Sequence, residues 1–433
     1  MLVEETSINE AYLATGVFIA TYVAIASERV HKTSAALAGG MLVIFIGVLD
    51  SHEAFDAIDL NVIFLLAGMM VIANTMASTG VFQWLAVRTT KVAGGHPLMV
   101  LILLCLVTAV VSSVLDNVTT VVLIAPITVL VARTLRVPAP PMLIAEAIAS
   151  NLGGAATLIG DPPNVLIGSH AGIGFAEFAW HVAPGAILAL AAYIAYLWFR
   201  MRGSMVANPE VRAEVMKLDE SSLITNHTLL RISLGVLALT LVGFVFHGPL
   251  GYEPAAVAMM GATLLLIVTR VDPYEALREV EWVTLFFFIG LFILVRSLEV
   301  TGVLDEVGQF AVDASGGSRA TGTFLLLWLS AFASGIVDNI PYTATMLPVV
   351  DDLTAELGRD PDDRVLWWAL TFGADFGGNM TIIGASANVL VANLAARNGE
   401  PISFWQFFRY GFPATILTVF VITGYLWVRY FLI

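Results

Sequence analysis

The fold is decided by two stretches of the chain, SSVLDNVTTVVLIAP at residues 112–126 and ASNLGGAATLIGDPPNVLIG at residues 149–168. Both lie inside long apolar runs, yet each contains a carboxylate, amides and hydroxyls, and the second also contains paired glycines and prolines. Hydrocarbon offers these groups no hydrogen bonds. Irregular backbone and carboxylates therefore occur at membrane depth only where they line a cavity or pack within protein. We expect a polar site deep inside a bundle of apolar helices.

The composition of the whole chain indicates a helical protein with many membrane spans. Of its 433 residues, 58% are hydrophobic and 12% are charged, whereas a soluble domain is about 25% charged. Its recurrent apolar runs are long enough, at about 1.5 Å per residue, to cross a hydrocarbon core of about 30 Å. These runs exclude a soluble enzyme or scaffold. The net charge of −14 argues against a nucleic-acid partner.

The sequence offers no site for a cofactor or a soft metal. Its one cysteine, Cys105, provides neither a disulfide framework nor a thiolate cluster. The chain has no nucleotide-binding glycine motif and no Walker lysine, so a pump driven by ATP hydrolysis would need a separate ATPase subunit. We expect no cofactor, although the carboxylates of the polar site suit Na⁺ as well as protons.

The apolar runs fall into two halves that flank a polar linker. In the first half we expect spans near Ala11–Ala26, Ala35–Leu49, Val62–Met76, Leu98–Leu115, Val118–Leu135, Met142–Gly168 and Ala183–Trp198. The chain turns polar between Arg200 and His227. We therefore divide it into a first transmembrane repeat at residues 1–204, a cytoplasmic linker at 205–228 and a second transmembrane repeat at 229–433.

The second half repeats the motifs of the first. SSVLDNVTT corresponds to SGIVDNIPYT, which aligns Asp116 with Asp338 at an offset of 222 residues (338 − 116). NLGGAATLIGDPPNVLIG corresponds to DFGGNMTIIGASANVLVA, which aligns Asn164 with Asn388 at an offset of 224 (388 − 164). Chance similarity between apolar runs would not keep Asp-Asn, Gly-Gly, Thr, Gly and Asn in register. The pattern predicts an internal duplication.

The lysines and arginines predict how the two copies are oriented. We place in the cytoplasm Arg29, Lys32, Arg88, Lys91, Arg133, Arg136, Arg200, Arg202, Arg212 and Lys217. This requires the two runs around Asp116 to enter and leave the membrane on one side, as a re-entrant hairpin. Each half then crosses five times, so the copies point in opposite directions and both termini lie outside the cytoplasm. Inverted repeats with broken helices that meet at the midplane are a recurrent plan of transporters.

An Asp-Asn pair occupies the tip of each predicted hairpin, as Asp116-Asn117 and Asp338-Asn339. Helix capping would explain one polar residue at each tip, but not two residues together with the hydroxyls around them. A carboxylate at mid-depth also takes up a proton or neutralises a cation, because burial disfavours its charged form. Asp116, Asp338 and Asp375 are therefore the candidate proton carriers.

The segments GGAATLIGDPPN and GGNMTIIGASAN are expected to break their helices; a misplaced flexible loop is the alternative. Broken half-helices present free N–H groups and positive dipole ends to a substrate. The two copies differ, because Asn151 and Asp161 in the first correspond to Asp375 and Ala385 in the second. Each break thus keeps one carboxylate in a different place, and we expect an asymmetric site.

The candidate binding residues come from the tips and the breaks of both halves. They are Asp116, Asn117, Thr119, Thr120, Asn151, Thr157, Asp161 and Asn164 in the first half, and Asp338, Asn339, Thr343, Asp375, Asn379, Thr381, Ser386 and Asn388 in the second. Outside this set, Arg296 lies in an apolar run. We expect its long side chain to extend toward the outer face rather than to pair with a carboxylate.

Four motifs resemble the ion transporter superfamily of arsenite pumps, sodium/proton antiporters and citrate and dicarboxylate carriers. They are LDNVTTVVLIAP, IAEAIASNLGGAATLIGDPPNV, VDNIPYTATMLPV and FGGNMTIIGASANV. Within it, they are most similar to the branch of the melanosomal P protein and its bacterial arsenite-pump-like relatives. The resemblance covers nearly the whole chain. It implies two inverted five-helix repeats, each with a re-entrant hairpin and a broken helix, alternating access, and export of arsenite or another ion coupled to protons.

The tip residues help to choose among the substrates of this superfamily. Dicarboxylate carriers typically have Ser-Asn-Thr at the tips, whereas here aspartates 116 and 338 replace the serine. An ionised aspartate repels a polyanion, which disfavours citrate and succinate.

Arsenite is an uncharged trihydroxide at neutral pH, and amide, hydroxyl and backbone groups would bind its hydroxyls. Our first hypothesis is export of arsenite (or antimonite) in exchange for protons across the plasma membrane. The alternatives are a sodium/proton antiporter and an anion channel or carrier of the P-protein type.

Overall fold

The computed structural model describes residues 2–27, 29–203, 205, 209–217, 219–220, 222–359 and 363–432, and these residues form helices and no strand. The first half comprises α1 (Leu2–Ala26), α2 (Lys32–Phe45), α3 (Ser51–Asp56), α4 (Leu60–Ala77), α5 (Val81–Val92), α6 (Pro97–Ser112), α7 (Asn117–Leu135), α8 (Ala139–Gly154), α9 (Pro162–His170) and α10 (Phe175–Met201). Helix α11 (Pro209–Met216) lies in the linker. Residues 204, 206–208, 218 and 221 of the linker region are outside the described part of the chain.

The second half contains the same order of elements. It comprises α12 (His227–Leu250), α13 (Pro254–Thr269), α14 (Pro273–Arg278), α15 (Trp282–Val300), α16 (Val303–Ser315), α17 (Arg319–Ile336), α18 (Asn339–Leu357), α19 (Val365–Gly377), α20 (Ser386–Arg397) and α21 (Phe404–Trp427). A π-helical turn (Val428–Leu432) follows α21. Among the described residues, each helix from α1 to α10 has a counterpart of similar length between α12 and α21.

Seven of the described helices are long and apolar enough to cross a membrane. They are α1, α4, α7, α10, α12, α15 and α21, and shorter apolar helices include α2, α6 and α13. The prediction of an all-helical membrane protein is confirmed. The spans differ in detail, since α10 begins at Phe175, eight residues before the predicted Ala183. The short helices α3, α5, α14 and α16 were not predicted.

Both predicted helix breaks are present. Helix α8 ends at Gly154 and α9 begins at Pro162, while α19 ends at Gly377 and α20 begins at Ser386. The two hairpins are also present, because four residues separate α6 from α7 and two separate α17 from α18.

Equivalent contacts join the two halves. Helix α4 packs on α13 where a Cβ on Gly68 would lie 2.8 Å from the backbone of Ala258. In the same way α15 packs on α2, where a Cβ on Gly290 would lie 2.5 Å from the backbone of Ala36. Both pairs are related by the offset of 222 residues. Only glycine permits so close an approach. The second contact is the first with the roles of the two halves exchanged, as an internal duplication predicts.

The helices form two groups, and the second group contains the breaks. Helices α1, α2 and α4 pack with α12, α13 and α15. In the second group, α7 to α9 pack with α18 to α20, while α5, α6, α16 and α17 pack on helices of their own half. Within the second group, α9 contacts α18 and α20 contacts α7. Each broken helix therefore lies against the hairpin of the other half, which brings both tips and both breaks to one place.

Candidate functional site

Each tip aspartate caps the helix that follows it. Asp116 accepts a hydrogen bond from the backbone N–H of Thr119 at 2.8 Å, and Asp338 accepts one from the N–H of Ile340 at 3.2 Å. Both side chains are buried, at 9% and 7% exposure. Capping therefore accounts for the helix starts, and burial places a carboxylate from each half inside the protein.

Asp161, in the first break, joins the two tips. Its Oδ2 accepts a hydrogen bond from Asn117 Nδ2 at 2.8 Å, and its Oδ1 accepts one from Asn339 Nδ2 at 3.5 Å. These three residues are buried. The residues that directly follow Asp116 and Asp338 thus share one carboxylate, so the tips of the two hairpins meet, as the sequence predicts.

Asn151 extends this cluster to the second break. It accepts a hydrogen bond from Asn117 at 3.0 Å and donates to the side-chain oxygens of Asn379 at 3.0 Å and Asn388 at 3.3 Å. An asparagine amide offers two donors and an acceptor with two lone pairs. The result is a buried network of side-chain amides to which both halves contribute. We call Asn117, Asn151, Asp161, Asn339, Asn379 and Asn388 the central network.

Two asparagine side chains form hydrogen bonds with the backbone of the breaks. Asn164 Nδ2 donates to the carbonyls of Gly154 and Thr157, at 3.3 and 2.9 Å. Asn388 Nδ2 donates to the equivalent carbonyls, of residues 378 and 381, at 2.8 and 2.9 Å. A helix end leaves carbonyl groups without partners, and these amides supply them. Their first role is to fix the shape of each break.

A threonine in each break forms a hydrogen bond to the hairpin of the same half. Thr157 Oγ1 donates to the carbonyl of Ser113 at 2.5 Å, and Thr381 Oγ1 donates to that of Gly335 at 2.7 Å. The donors are related by 224 residues and the acceptors by 222. Both hydroxyls were predicted to line the site, and the structure shows each of them bonded to backbone.

Several buried polar atoms of the candidate residues have no hydrogen-bond partner among the described residues. They are Asn117 Oδ1, Thr120 Oγ1, Asn164 Oδ1, Thr343 Oγ1, Asn379 Nδ2 and both carboxylate oxygens of Asp375. Asp375 is fully buried, with Asn164 beside it. An unpaired buried polar group costs roughly 1–3 kcal/mol, and a charged one costs more. These atoms are suited to bind a proton, an ion or the hydroxyls of a small solute.

Lys32 brings a cation to the site, a contribution that the sequence does not predict. Its Nζ lies 2.7 Å from Asp338 Oδ2, 2.7 Å from Ser386 Oγ and 5.2 Å from the ring centroid of Phe287. The pattern of lysines and arginines predicts only a cytoplasmic position for Lys32. One signal was available, since α2 has 14 residues and spans only about 21 Å. A residue at the end of so short a helix reaches inside the membrane.

Glu281, the residue before α15, adds a carboxyl near this lysine. Burial and then the charge of Asp116 raise its pKa to about 7, which Lys32 partly offsets. Asp161 in turn interacts electrostatically with Asp375, Asp338 and Asp116. Acidic groups thus outnumber cations in the described part of the site.

Glu146 is a further buried carboxyl, in α8. It accepts a hydrogen bond from Thr108 at 3.1 Å, and its Oε2 has no partner among the described residues. One helical turn further on, Ser150 donates to Ser112 and to the carbonyl of Asn117. This places Glu146 about one turn behind the central network.

A cavity of about 490 Å³ lies between helix α3 with the residues that follow it and helices α9, α15 and α18. It is lined by residues that include Glu53, Asp56, Asp59, Arg296 and Glu299. Arg296 pairs with Glu53 at 3.0 Å and with Glu299 at 2.9 Å. The expectation that Arg296 does not pair with a carboxylate is wrong, because α15 packs on α3, which carries Glu53.

Comparisons with known proteins agree with this architecture. A family model described as "Citrate transporter" matches residues 22–373. An uncharacterized transporter of Mycobacterium tuberculosis is 47% identical, covering 97% of this chain and 99% of that protein. The P protein of Homo sapiens is 32% identical, covering 98% of this chain and 60% of that protein.

A solved structure has the same fold. It is that of Neisseria gonorrhoeae MtrF, described as illuminating a class of antimetabolite efflux pumps. It matches with a TM-score of 0.63 over 97% of this chain and 94% of that chain, at 11% identity. At this identity the likeness concerns the fold alone.

Proposed function

We propose a substrate and a coupling ion for this chain, which belongs to the citrate transporter family and is a membrane transporter rather than an enzyme. In this proposal it exports arsenite (or antimonite) across the plasma membrane in exchange for protons, by alternating access. The observation that carries the proposal is the central network, where side-chain amides of both halves meet at the buried carboxylate of Asp161.

The carboxylates supply the proton coupling. Asp375 is fully buried with neither oxygen hydrogen-bonded among the described residues, and such a group is far more stable when protonated or paired with a cation. Asp116 makes no ion pair in the described part of the chain. We assign proton uptake and release to Asp116, Asp338 and Asp375.

The amides and hydroxyls suit an uncharged hydroxylated solute. Arsenite presents hydroxyl groups that donate and accept hydrogen bonds, and unpaired acceptors and donors remain on Asn117, Asn164 and Asn379. A site of thiolates is not available, because the only cysteine, Cys105, is buried in α6. The surrounding carboxylates repel citrate unless its charge is neutralised, so the substrate in the family's description is not carried over.

Alternating access rests on the duplication. We propose that residues 1–204 and 229–433 are inverted repeats joined by a cytoplasmic linker at 205–228, with both termini outside. The contact of Gly68 with Ala258 and the contact of Gly290 with Ala36 are related by the offset of the duplication, which supports two equivalent copies. The hairpins and broken helices would then move against the other helix group, exposing the central network to each side in turn.

Everted membrane vesicles test this proposal. With an acidic lumen and no ATP, we expect arsenite to accumulate inside, and collapse of the pH gradient to stop it. Asp116→Asn should abolish the accumulation, whereas Asp313→Asn, at an exposed site in α16, should not. Uptake that is indifferent to the gradient would refute the coupling, and uptake only with ATP would indicate a separate ATPase subunit.

Sodium/proton antiport is the second candidate, because carboxylates without a paired cation also suit Na⁺. In the same vesicles, added Na⁺ would release protons from the lumen in the absence of arsenite. An anion channel would instead produce a current without proton movement. Each of the three functions therefore gives a different result in one preparation.

A further inference from the structure

We infer that Lys32 is the coupling cation of the second hairpin tip: it competes with the proton for Asp338 and links this tip to α2 until that proton binds. The inference rests on the proposed proton coupling of the site. It begins from the two contacts of 2.7 Å that Lys32 Nζ makes with Asp338 Oδ2 and Ser386 Oγ.

The contact joins the two groups of helices. Lys32 is the first residue of α2, which packs with α1 and α15. Asp338 and Ser386 belong to the hairpin and the broken helix of the second half. If these groups move relative to each other during transport, this ion pair has to break.

Asp116, the counterpart of Asp338, lacks the equivalents of both Lys32 and Ser386. At the offsets of the duplication, Lys32 corresponds to Pro254 and Ser386 corresponds to Pro162. Proline has no side-chain donor or charge, so the equivalent pairing with Asp116 does not exist. Two differences between the copies thus meet at the carboxylate of Asp338, which indicates that the contact is a specific feature of the second tip.

Among the described residues, the titratable groups that face the pair from other elements are a tyrosine and two acids. Tyr22 of α1 interacts with Asp338, and its hydroxyl donates to the carbonyl of Pro341 at 2.7 Å. Glu281 faces Lys32 from α15, and Asp161 faces Asp338 from the first break. Lys32 is therefore the cation that neutralises Asp338 among the described residues.

Protonation of Asp338 releases the pair. The proton bonds to a carboxylate oxygen, the carboxyl becomes neutral, and the ammonium keeps its own proton but no longer faces an opposite charge. Attraction between unit charges in contact is then replaced by a weaker hydrogen bond. Proton binding would thus free the second tip from α2, which links the proton to the movement.

A double-mutant cycle on the purified protein tests the pairing without any substrate. We expect Lys32→Gln to lower the melting temperature more at pH 8 than at pH 5, because Asp338 is then left charged and unpaired. In the Asp338→Asn background the same substitution should have little effect. Lys91→Gln, which removes a lysine from the end of α5, is the control. Equal losses at both pH values, or additive losses in the cycle, would overturn the inference.

Transport in vesicles then tests the coupling. Lys32→Gln should move the pH of half-maximal uptake to a higher value, since the proton no longer competes with an ammonium. Lys32→Arg should restore most of the wild-type profile. An unchanged profile in Lys32→Gln would refute the role of Lys32. Absence of proton-coupled uptake in the wild type would instead refute the proposed function. The melting experiment would still show whether Lys32 and Asp338 form an ion pair that depends on pH.

Discussion

The tips at Asp116 and Asp338 share a local sequence but have different surroundings. Each begins a helix with an Asp-Asn pair, and each aspartate caps that helix. Asp338 also binds Lys32 and Ser386, whereas Asp116 has no ion pair in the described chain. The comparison teaches that capping explains why the pair occurs twice, while the neighbouring helices decide how each carboxylate is used.

The largest expected effect comes from removing either tip charge. Asp116→Asn and Asp338→Asn keep a capping oxygen, so both variants should fold and insert. Transport should fall roughly 100-fold or more, the order of a lost proton-transfer group. Arsenite resistance of a sensitive cell that expresses each variant measures this loss. Normal resistance with either variant would mean that its tip carries no transported proton.

Asp375→Asn extends the comparison to the breaks, where Asn151 is the matching residue of the first half. An amide at position 375 has no charge to bury and matches the amide of its counterpart. We expect melting at a temperature equal to or above that of the wild type, together with uptake that depends much less on pH. A variant that melts earlier and keeps the wild-type pH dependence would contradict this role.

The asparagines that hold the breaks should differ in their effect on stability. Asn164→Ala removes two hydrogen bonds to break carbonyls, at roughly 1–3 kcal/mol for each carbonyl left unpaired. Asn388→Ala removes the equivalent pair and also the oxygen that accepts from Asn151. We therefore expect the larger fall in melting temperature for Asn388→Ala. Equal falls would show that the contact with Asn151 adds little.

Glu281→Gln should give the smallest effect, and one that depends on pH. The pKa of Glu281 is raised from 4.5 to about 7, so its carboxyl favours folding while protonated and this contribution is lost as pH rises toward 7. The glutamine variant should melt roughly 2–4 °C above the wild type at pH 8 and at the same temperature at pH 4. A difference that is constant with pH would point to altered packing instead.

Much of the architecture was readable from the sequence. Polar residues and glycines inside apolar runs predicted the hairpins and the two breaks, because hydrocarbon tolerates such groups only within protein. The repeated motifs also predicted that Asn117 and Asn339 belong together, and the structure brings both to Asp161.

The rest depended on tertiary packing. Lys32 was not identified because a sequence shows the type of a residue and not its depth, and its side chain reaches the site from another helix group. The pairing of Arg296 with Glu53 was missed for the same reason, since 243 residues separate the partners. The bonds of Thr157 and Thr381 to hairpin carbonyls likewise follow from how the breaks fold back on the hairpins.

Simultaneous recording of arsenite uptake and luminal pH in everted vesicles tests the central claim most directly. With an acidic lumen, added arsenite should enter while the lumen becomes more alkaline, and both signals should vanish together in Asp116→Asn and Asp338→Asn. Arsenite entry with no change of luminal pH, or both signals intact in these variants, would contradict proton exchange at the buried carboxylates.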